Sequence, residues 1–116
     1  MVADFWRGQG VFRSDDCLNW EHKGFILDKP GKREDDHSIG NHADVVVIGD
    51  EAYIFYFTHP PRPEGWKSGM PIDPALKRTS IQVARLHSDG KKLMCDRDEE
   101  FDFVLPNGDK YLEINR

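Results

Sequence analysis

Cysteine is scarce in this sequence, and its two cysteines, Cys17 and Cys95, stand far apart. Neither belongs to a Cys-x-x-Cys pair, so the sequence offers no metal-binding cysteine motif and allows one disulfide at most. We expect two free thiols. Neither cysteine has a local motif that links it to His or Asn, which argues against a cysteine nucleophile.

Long hydrophobic runs are also missing. The longest, residues 43–48, contains Asp44 and is far shorter than the roughly 20 residues that a membrane-spanning helix needs. The first seven residues lack the basic start and the continuous apolar stretch of a secretory signal. The sequence therefore predicts no membrane partner and a cytoplasmic location.

An excess of positive charge is lacking as well. The 116 residues include 16 Lys and Arg against 21 Asp and Glu, giving a net charge of −5, and the cations are scattered. Binding to a phosphate backbone needs clustered cations, so no nucleic-acid partner is expected. With 38% hydrophobic and 32% charged residues, the composition is that of one ordered domain with a large polar surface.

The sequence does contain a series of short β-strand patterns separated by turn residues. Turn signals such as Gly49-Asp50 and Asp89-Gly90 join the patterns into antiparallel hairpins, and no stretch has a convincing helical periodicity. We therefore predict an all-β fold. The predicted strands are 10–14, 20–27, 43–48, 52–57, 80–86, 92–95, 100–105 and 111–114. The strand at 43–48 is nearly all hydrophobic, which favours cover on both faces.

Two irregular stretches interrupt these strands. Residues 28–41 are rich in Pro, Gly and charged side chains, and residues 59–77 carry five of the seven prolines. Both are predicted to be long loops, and long ordered loops are often functional.

Two segments resemble the later blades of five-bladed β-propeller glycosidases, specifically family 43 glycoside hydrolases. Residues 10–20 are similar to an outer-strand hairpin in which a Ser-x-Asp turn leads to a Trp. Residues 40–47, followed by Gly49 and residues 53–59, resemble an innermost strand entered through Gly-x-His and its partner strand. The resemblance continues through residues 78–90 and covers roughly residues 8–104.

The resemblance implies about one and a half propeller-type blades in a single partial domain, residues 1–116. Residues 8–27 would form the outer hairpin of one blade, residues 42–104 one four-stranded blade, and residues 105–116 a C-terminal extension. Relatives of this kind are inverting enzymes with a base Asp in the first blade, and no position here matches it. A monomer is therefore expected to lack a complete catalytic site, whether the chain is whole or an excerpt of a longer enzyme.

His42 and Asp44 are the first candidate site residues. Gly40 allows close backbone approach before the strand, and the matching His in the family faces the centre of the ring near a bound metal or water. The alternative is that His42 caps the strand and Asp44 is a polar anchor. Both interpretations stay open at this point.

Asp36 and His37 lie in a charged loop segment, residues 33–37, just upstream of His42. They are candidates to line a sugar pocket, although solvated loop charge is the favoured interpretation. Asp35 and Asp36 are conceivable calcium ligands, since calcium binds carboxylate oxygens. Their spacing lacks the alternating oxygen ligands of a known loop motif, so neither a metal nor another cofactor is predicted.

Aromatic residues supply the remaining candidates, because sugars stack on aromatic rings. Tyr56, His59 and Trp66 are candidate binding residues, and Trp66 is the most suggestive because it lies in the Pro-rich loop. Trp20 is predicted to be core. Trp6 is predicted to be exposed, because the strand that would precede it in a whole propeller is absent.

Two functional hypotheses follow. The first is a carbohydrate-related protein that binds an oligosaccharide near His42. The second is a non-catalytic β-domain that self-associates through open strand edges. A small homo-oligomer is expected under either hypothesis.

Overall fold

The computed structural model of the protein describes residues 1–102 and contains two antiparallel β-sheets. Each sheet follows the order of the chain, so within a sheet every strand pairs with its neighbour in sequence. The predicted all-β class is confirmed. The first sheet contains β1 (Val2–Asp4), β2 (Gln9–Arg13) and β3 (Glu21–Ile26), and the second contains β4 (Asn41–Ile48), β5 (Glu51–Thr58), β6 (Ser80–Ser88) and β7 (Leu93–Met94). The described residues include one short 3-10 turn, Pro74–Lys77.

The strand β5 is the centre of the second sheet. It pairs with β4 through Val45↔Ile54 and with β6 through Ile54↔Ala84, and Ile54 is fully buried. The β4 strand was predicted to be covered on both faces, but it is an edge strand and Val47 is 67% exposed. A hydrophobic run can therefore mark a strand whose outer edge and part of one face are uncovered.

The first sheet gains a strand that the sequence pattern did not predict. Residues of β1 pair with β2 in the register Val2↔Val11 and Ala3↔Gly10. Three residues are too few to show a period-two alternation, so β1 carries no signal of its own. The sheet has three strands, where a two-stranded hairpin was expected.

The prediction that Trp20 belongs to the core is wrong. Trp20 is 43% exposed, and its Nε1 donates a hydrogen bond to the Cys17 carbonyl at 3.2 Å. The physical reason is its position at the end of the turn between β2 and β3, where Leu18 is also exposed. This end of the hairpin extends beyond the core.

The two sheets share one hydrophobic core. Its buried members come from β2, β3, β5, β6 and the residue that follows β3, and they are Val11, Ile26, Leu27, Ile54, Tyr56, Ala84 and Leu86. Strands β1 and β2 both contact β4. The edge strand of the second sheet is thereby placed beside the first sheet, which brings the turn after β1 close to the start of β4.

The C-terminal predictions are only partly covered. Residues 100–102 are not in a strand, while the rest of the predicted strand at 100–105 and the predicted strand at 111–114 lie outside the described residues.

Both cysteines are free, and burial raises the pKa of the Cys95 thiol to about 11. Within residues 1–102, no helix has the length and apolarity needed to cross a membrane.

Candidate functional site

A concave surface opens where the chain leaves β5. It encloses about 510 Å³ between the turn after β1, the end of the 28–41 loop and the start of the Pro-rich loop. We call it the aromatic groove, and the lining residues used below are Trp6, Asn41, Phe57, His59, Arg62 and Trp66. Ligand sites have this character, since they are concave and mostly apolar with a few placed polar groups.

Four rings form a continuous chain at one wall of the groove, where Trp6, Phe57 and His59 line it and His42 joins Trp6 to Phe57 from behind the lining. The His42 ring stacks on Phe57 with centroids 5.3 Å apart and meets the Trp6 ring edge-on at 5.1 Å. Phe57 in turn contacts the ring of His59 edge-on at 5.3 Å. Trp6 remains 74% exposed, so its ring can stack on a ligand while it keeps its contact with His42.

Asp4 fixes the position of both Trp6 and His42. Its Oδ1 accepts the backbone N–H of Trp6 at 2.7 Å, and its Oδ2 accepts that of His42, also at 2.7 Å. The His42 Nδ1 lies 3.5 Å from the same Oδ2. Burial acts to raise the pKa of Asp4, but these two backbone hydrogen bonds and the neighbouring imidazole hold the pKa below its usual value.

The backbone at these positions is unusual, which explains why they need an anchor. Trp6 has a φ of 59° and His42 a φ of 41°, both in the left-handed region that side chains other than Gly rarely adopt. The β4–β5 register also shifts between Asn41 and Asp44. A β-bulge of this kind re-aims a side chain, and here it directs the His42 ring onto Phe57.

The Pro-rich loop is braced internally by side-chain contacts. The Trp66 Nε1 donates to the Met70 carbonyl at 3.2 Å, and the Arg62 guanidinium lies 5.3 Å above the Trp66 ring. His59 is oriented by a 3.0 Å contact between its Nδ1 and the Arg78 carbonyl. A carbonyl can only accept, so the Nδ1–H of His59 is the donor in this contact.

Asp44 does not reach the groove. It is exposed on the β4 edge, opposite Phe55 in the register, and its Oδ1 contacts the N–H of Val45. It borders a separate apolar cavity on the other side of the bulge. Of the paired candidates His42 and Asp44, only His42 lies against the groove.

Asp36 and Tyr56 form a buried ionic cluster and do not line the groove. Asp36 is fully buried, and it accepts hydrogen bonds from Tyr56 Oη at 2.9 Å, Arg33 Nη2 at 3.3 Å and Arg97 Nε at 3.2 Å. Arg97 Nη2 also bonds to Asp36. Burial raises the pKa of Tyr56 to about 12. The interpretation of this loop as solvated charge is therefore wrong for Asp36, because its partner Arg97 closes over it.

The other charged residues of the 33–37 segment lie outside the groove. His37 is exposed, with its Nδ1 3.1 Å from the Gly31 carbonyl. Asp35 bonds to Arg78 at 2.6 Å, and this hydrogen bond lowers the pKa of Asp35. In residues 1–102, no three His, Cys, Asp or Glu side chains come together as a metal would require.

The sequence pattern indicated four members of the site and missed others. It singled out His42, His59, Trp66 and the exposed Trp6, but not Phe57, Asp4 or Arg62. The sequence signal for Phe57 was its position two residues before His59, which follows the end of β5 directly, because an extended chain points such side chains to one face. Asp4 gave no local signal, since its role depends on β1 lying beside β4.

Comparisons with protein-family models and with curated proteins find no match to this chain.

Proposed function

We propose that this protein is carbohydrate-related, that it corresponds to the later blades of a family 43-type glycoside hydrolase, and that the aromatic groove binds its glycan. The observation that carries the proposal is the chain of rings from Trp6 through His42 and Phe57 to His59. Sugar rings present C–H faces that pack on aromatic rings and hydroxyls that need hydrogen-bond partners. His59 supplies such a partner beside the rings.

The strand arrangement supports the propeller part of the proposal. A propeller blade is a four-stranded antiparallel sheet, and β4 to β7 form such a sheet in chain order. The preceding three strands fit a neighbouring blade, with β4 placed next to β1. His42 then lies at the entry to the innermost strand, as the Gly40-x-His42 resemblance implies.

The groove favours binding over hydrolysis by this chain alone. Hydrolysis of a glycosidic bond needs two carboxyl groups that flank it. Among the described residues that line the groove, none is Asp or Glu. The nearest carboxylate used in the site, that of Asp4, is occupied by two backbone N–H groups. Both carboxyl groups needed for hydrolysis would have to come from outside these residues.

Alanine substitutions at the groove tryptophans test the proposal. A screen of plant and microbial oligosaccharides identifies a ligand, and its affinity is then measured by calorimetry. We expect Trp6→Ala and Trp66→Ala each to weaken binding at least about tenfold, which corresponds to about 1.4 kcal/mol. Trp20→Ala is the matched control, because Trp20 is also partly exposed but lies at the hairpin end. Equal losses in all three variants, or no ligand in the screen, would refute the groove as a glycan site.

Self-association is the second candidate function, and it is favoured by the edge of β4, which forms no ladder with another strand of residues 1–102 on that side. An apolar cavity of about 440 Å³ beside this edge is lined by Val2, Ala43, Val45, Val47, Leu86 and Leu93. Unpaired strand edges with apolar side chains pair readily with another copy. Light scattering separates the two candidates: a stable oligomer that Val47→Lys converts to a monomer, with no glycan binding by either form, favours self-association alone.

A further inference from the structure

We infer that the aromatic groove selects a sugar unit with a negative charge, such as a uronic acid, through Arg62. This inference rests on the proposed glycan-binding function and adds the class of ligand to it. The observation is a mismatch between the charge of the chain and the charge of the groove. The whole chain carries −5, while the described residues that line the groove include one guanidinium, that of Arg62, and no carboxylate.

Arg62 differs from most of the other arginines in what it contacts. The guanidinium groups of Arg33, Arg78, Arg85 and Arg97 each form an ion pair with Asp or Glu, as does that of Arg13. Among residues 1–102, no carboxylate forms such a pair with Arg62. Its partners are the Leu76 carbonyl and the Trp66 ring, and both are uncharged. The positive charge at the groove is therefore not neutralised by a neighbouring side chain.

The contacts of Arg62 also hold it in place before a ligand arrives. The Nη1 atom donates to the Leu76 carbonyl, and the planar group lies over the Trp66 ring. A guanidinium carries five N–H donors, and a carboxylate can accept two of them at once. A fixed guanidinium loses less conformational entropy on binding than a free one. A carboxylate is therefore bound more tightly here and in a defined orientation.

The geometry places the charge beside the stacking surface. Arg62 and Trp66 line the same groove as Trp6 and Phe57, so one ligand can present a ring face and a carboxylate together. A neutral sugar would use the rings and leave the guanidinium without a counter-charge. We therefore expect discrimination by charge on top of the stacking contribution.

A second cationic cavity must be distinguished in the test. It encloses about 340 Å³ between the β2–β3 hairpin and the β6–β7 turn, and its cationic lining residues are Arg13, Lys23, Lys91 and Lys92. An acidic glycan held there by charge alone would mimic the expected preference. The Lys91→Gln/Lys92→Gln double variant removes two positive charges from this cavity and leaves the groove unchanged.

The experiment compares one glycan in two charge states. A galacturonic acid oligomer and its fully methyl-esterified form share the sugar skeleton and differ in the carboxylates. We expect the wild-type protein to bind the acid at least about tenfold more tightly than the ester in low salt. Arg62→Gln removes the difference and still binds the ester, which shows that the variant is folded. Arg85→Gln and the lysine double variant keep the wild-type preference.

The contrary outcomes separate this inference from the proposed function. If acid and ester bind equally and Trp66→Ala weakens both, the groove binds glycans but does not select charge, and the inference is wrong. The same conclusion follows if the lysine double variant, and not Arg62→Gln, abolishes the preference. If neither oligomer nor any neutral oligosaccharide binds, the proposed function fails as well.

Discussion

We expect Asp36→Asn to lower the free energy of unfolding by about 3–5 kcal/mol, the range measured when one partner of a buried ion pair is removed. The substitution leaves the shape of the side chain nearly unchanged, so loss of packing contributes little. It removes the negative charge that Arg33 and Arg97 share, and the Arg97 side chain is itself almost completely buried. Two guanidinium groups would then face each other without a counter-ion.

The neighbouring residue provides the control for this result. Asp35 pairs with Arg78 at 2.6 Å, but both side chains are accessible to solvent. Exposed ion pairs contribute about 0–1 kcal/mol, so Asp35→Asn is expected to have a small effect. Asn also tolerates the left-handed backbone of Asp35, whose φ is 59°. Urea unfolding followed by circular dichroism measures both variants, and equal losses would contradict the buried-cluster interpretation.

The second large effect is expected at Gly8. A Cβ on Gly8 would lie 2.7 Å from the Asp28 Cα and 2.9 Å from the Asp28 N, so the turn after β1 would have to move away from the chain after β3. Gly8 also has a φ of 110°, which strains any other residue. The strain costs about 1–3 kcal/mol, and the clash with the backbone adds about 1–3 kcal/mol.

Gly24 separates these two contributions. Its φ is 108°, almost equal to that of Gly8, but a Cβ there would meet no atom within 4 Å. Gly24→Ala therefore reports the backbone strain alone. We expect Gly8→Ala to be less stable than Gly24→Ala by about 1–3 kcal/mol, with weaker glycan binding because Trp6 lies in the same turn. Equal stability of the two variants would mean that the turn and the Asp28 backbone are not packed together.

The central strands could be predicted from sequence, since their pattern is local. Period-two alternation identified β6, and the run of aromatic and β-branched residues identified β5. The register and the edge position of β4 could not be predicted, because they depend on what lies beyond the strand. The strand β1 was missed because its single Val gives no alternation.

The site was predicted less completely than the strands. Trp66 and His59 were suggested by residue type and His42 by the resemblance, but their convergence depends on β1 lying beside β4. The opposite error occurred at Asp36, which looks like surface charge in the sequence. Its partner Arg97 is 61 residues away, and no local pattern connects them.

The most direct test of the account is a glycan titration followed through the indole N–H signals of the three tryptophans by ¹⁵N NMR. Trp6 and Trp66 line the groove, whereas Trp20 lies at the hairpin end, so the protein contains two reporters and an internal control. The account predicts that the signals of Trp6 and Trp66 shift together and saturate, while that of Trp20 stays in place. A saturable shift of Trp20 alone, or no shift of any indole with any oligosaccharide, would contradict it.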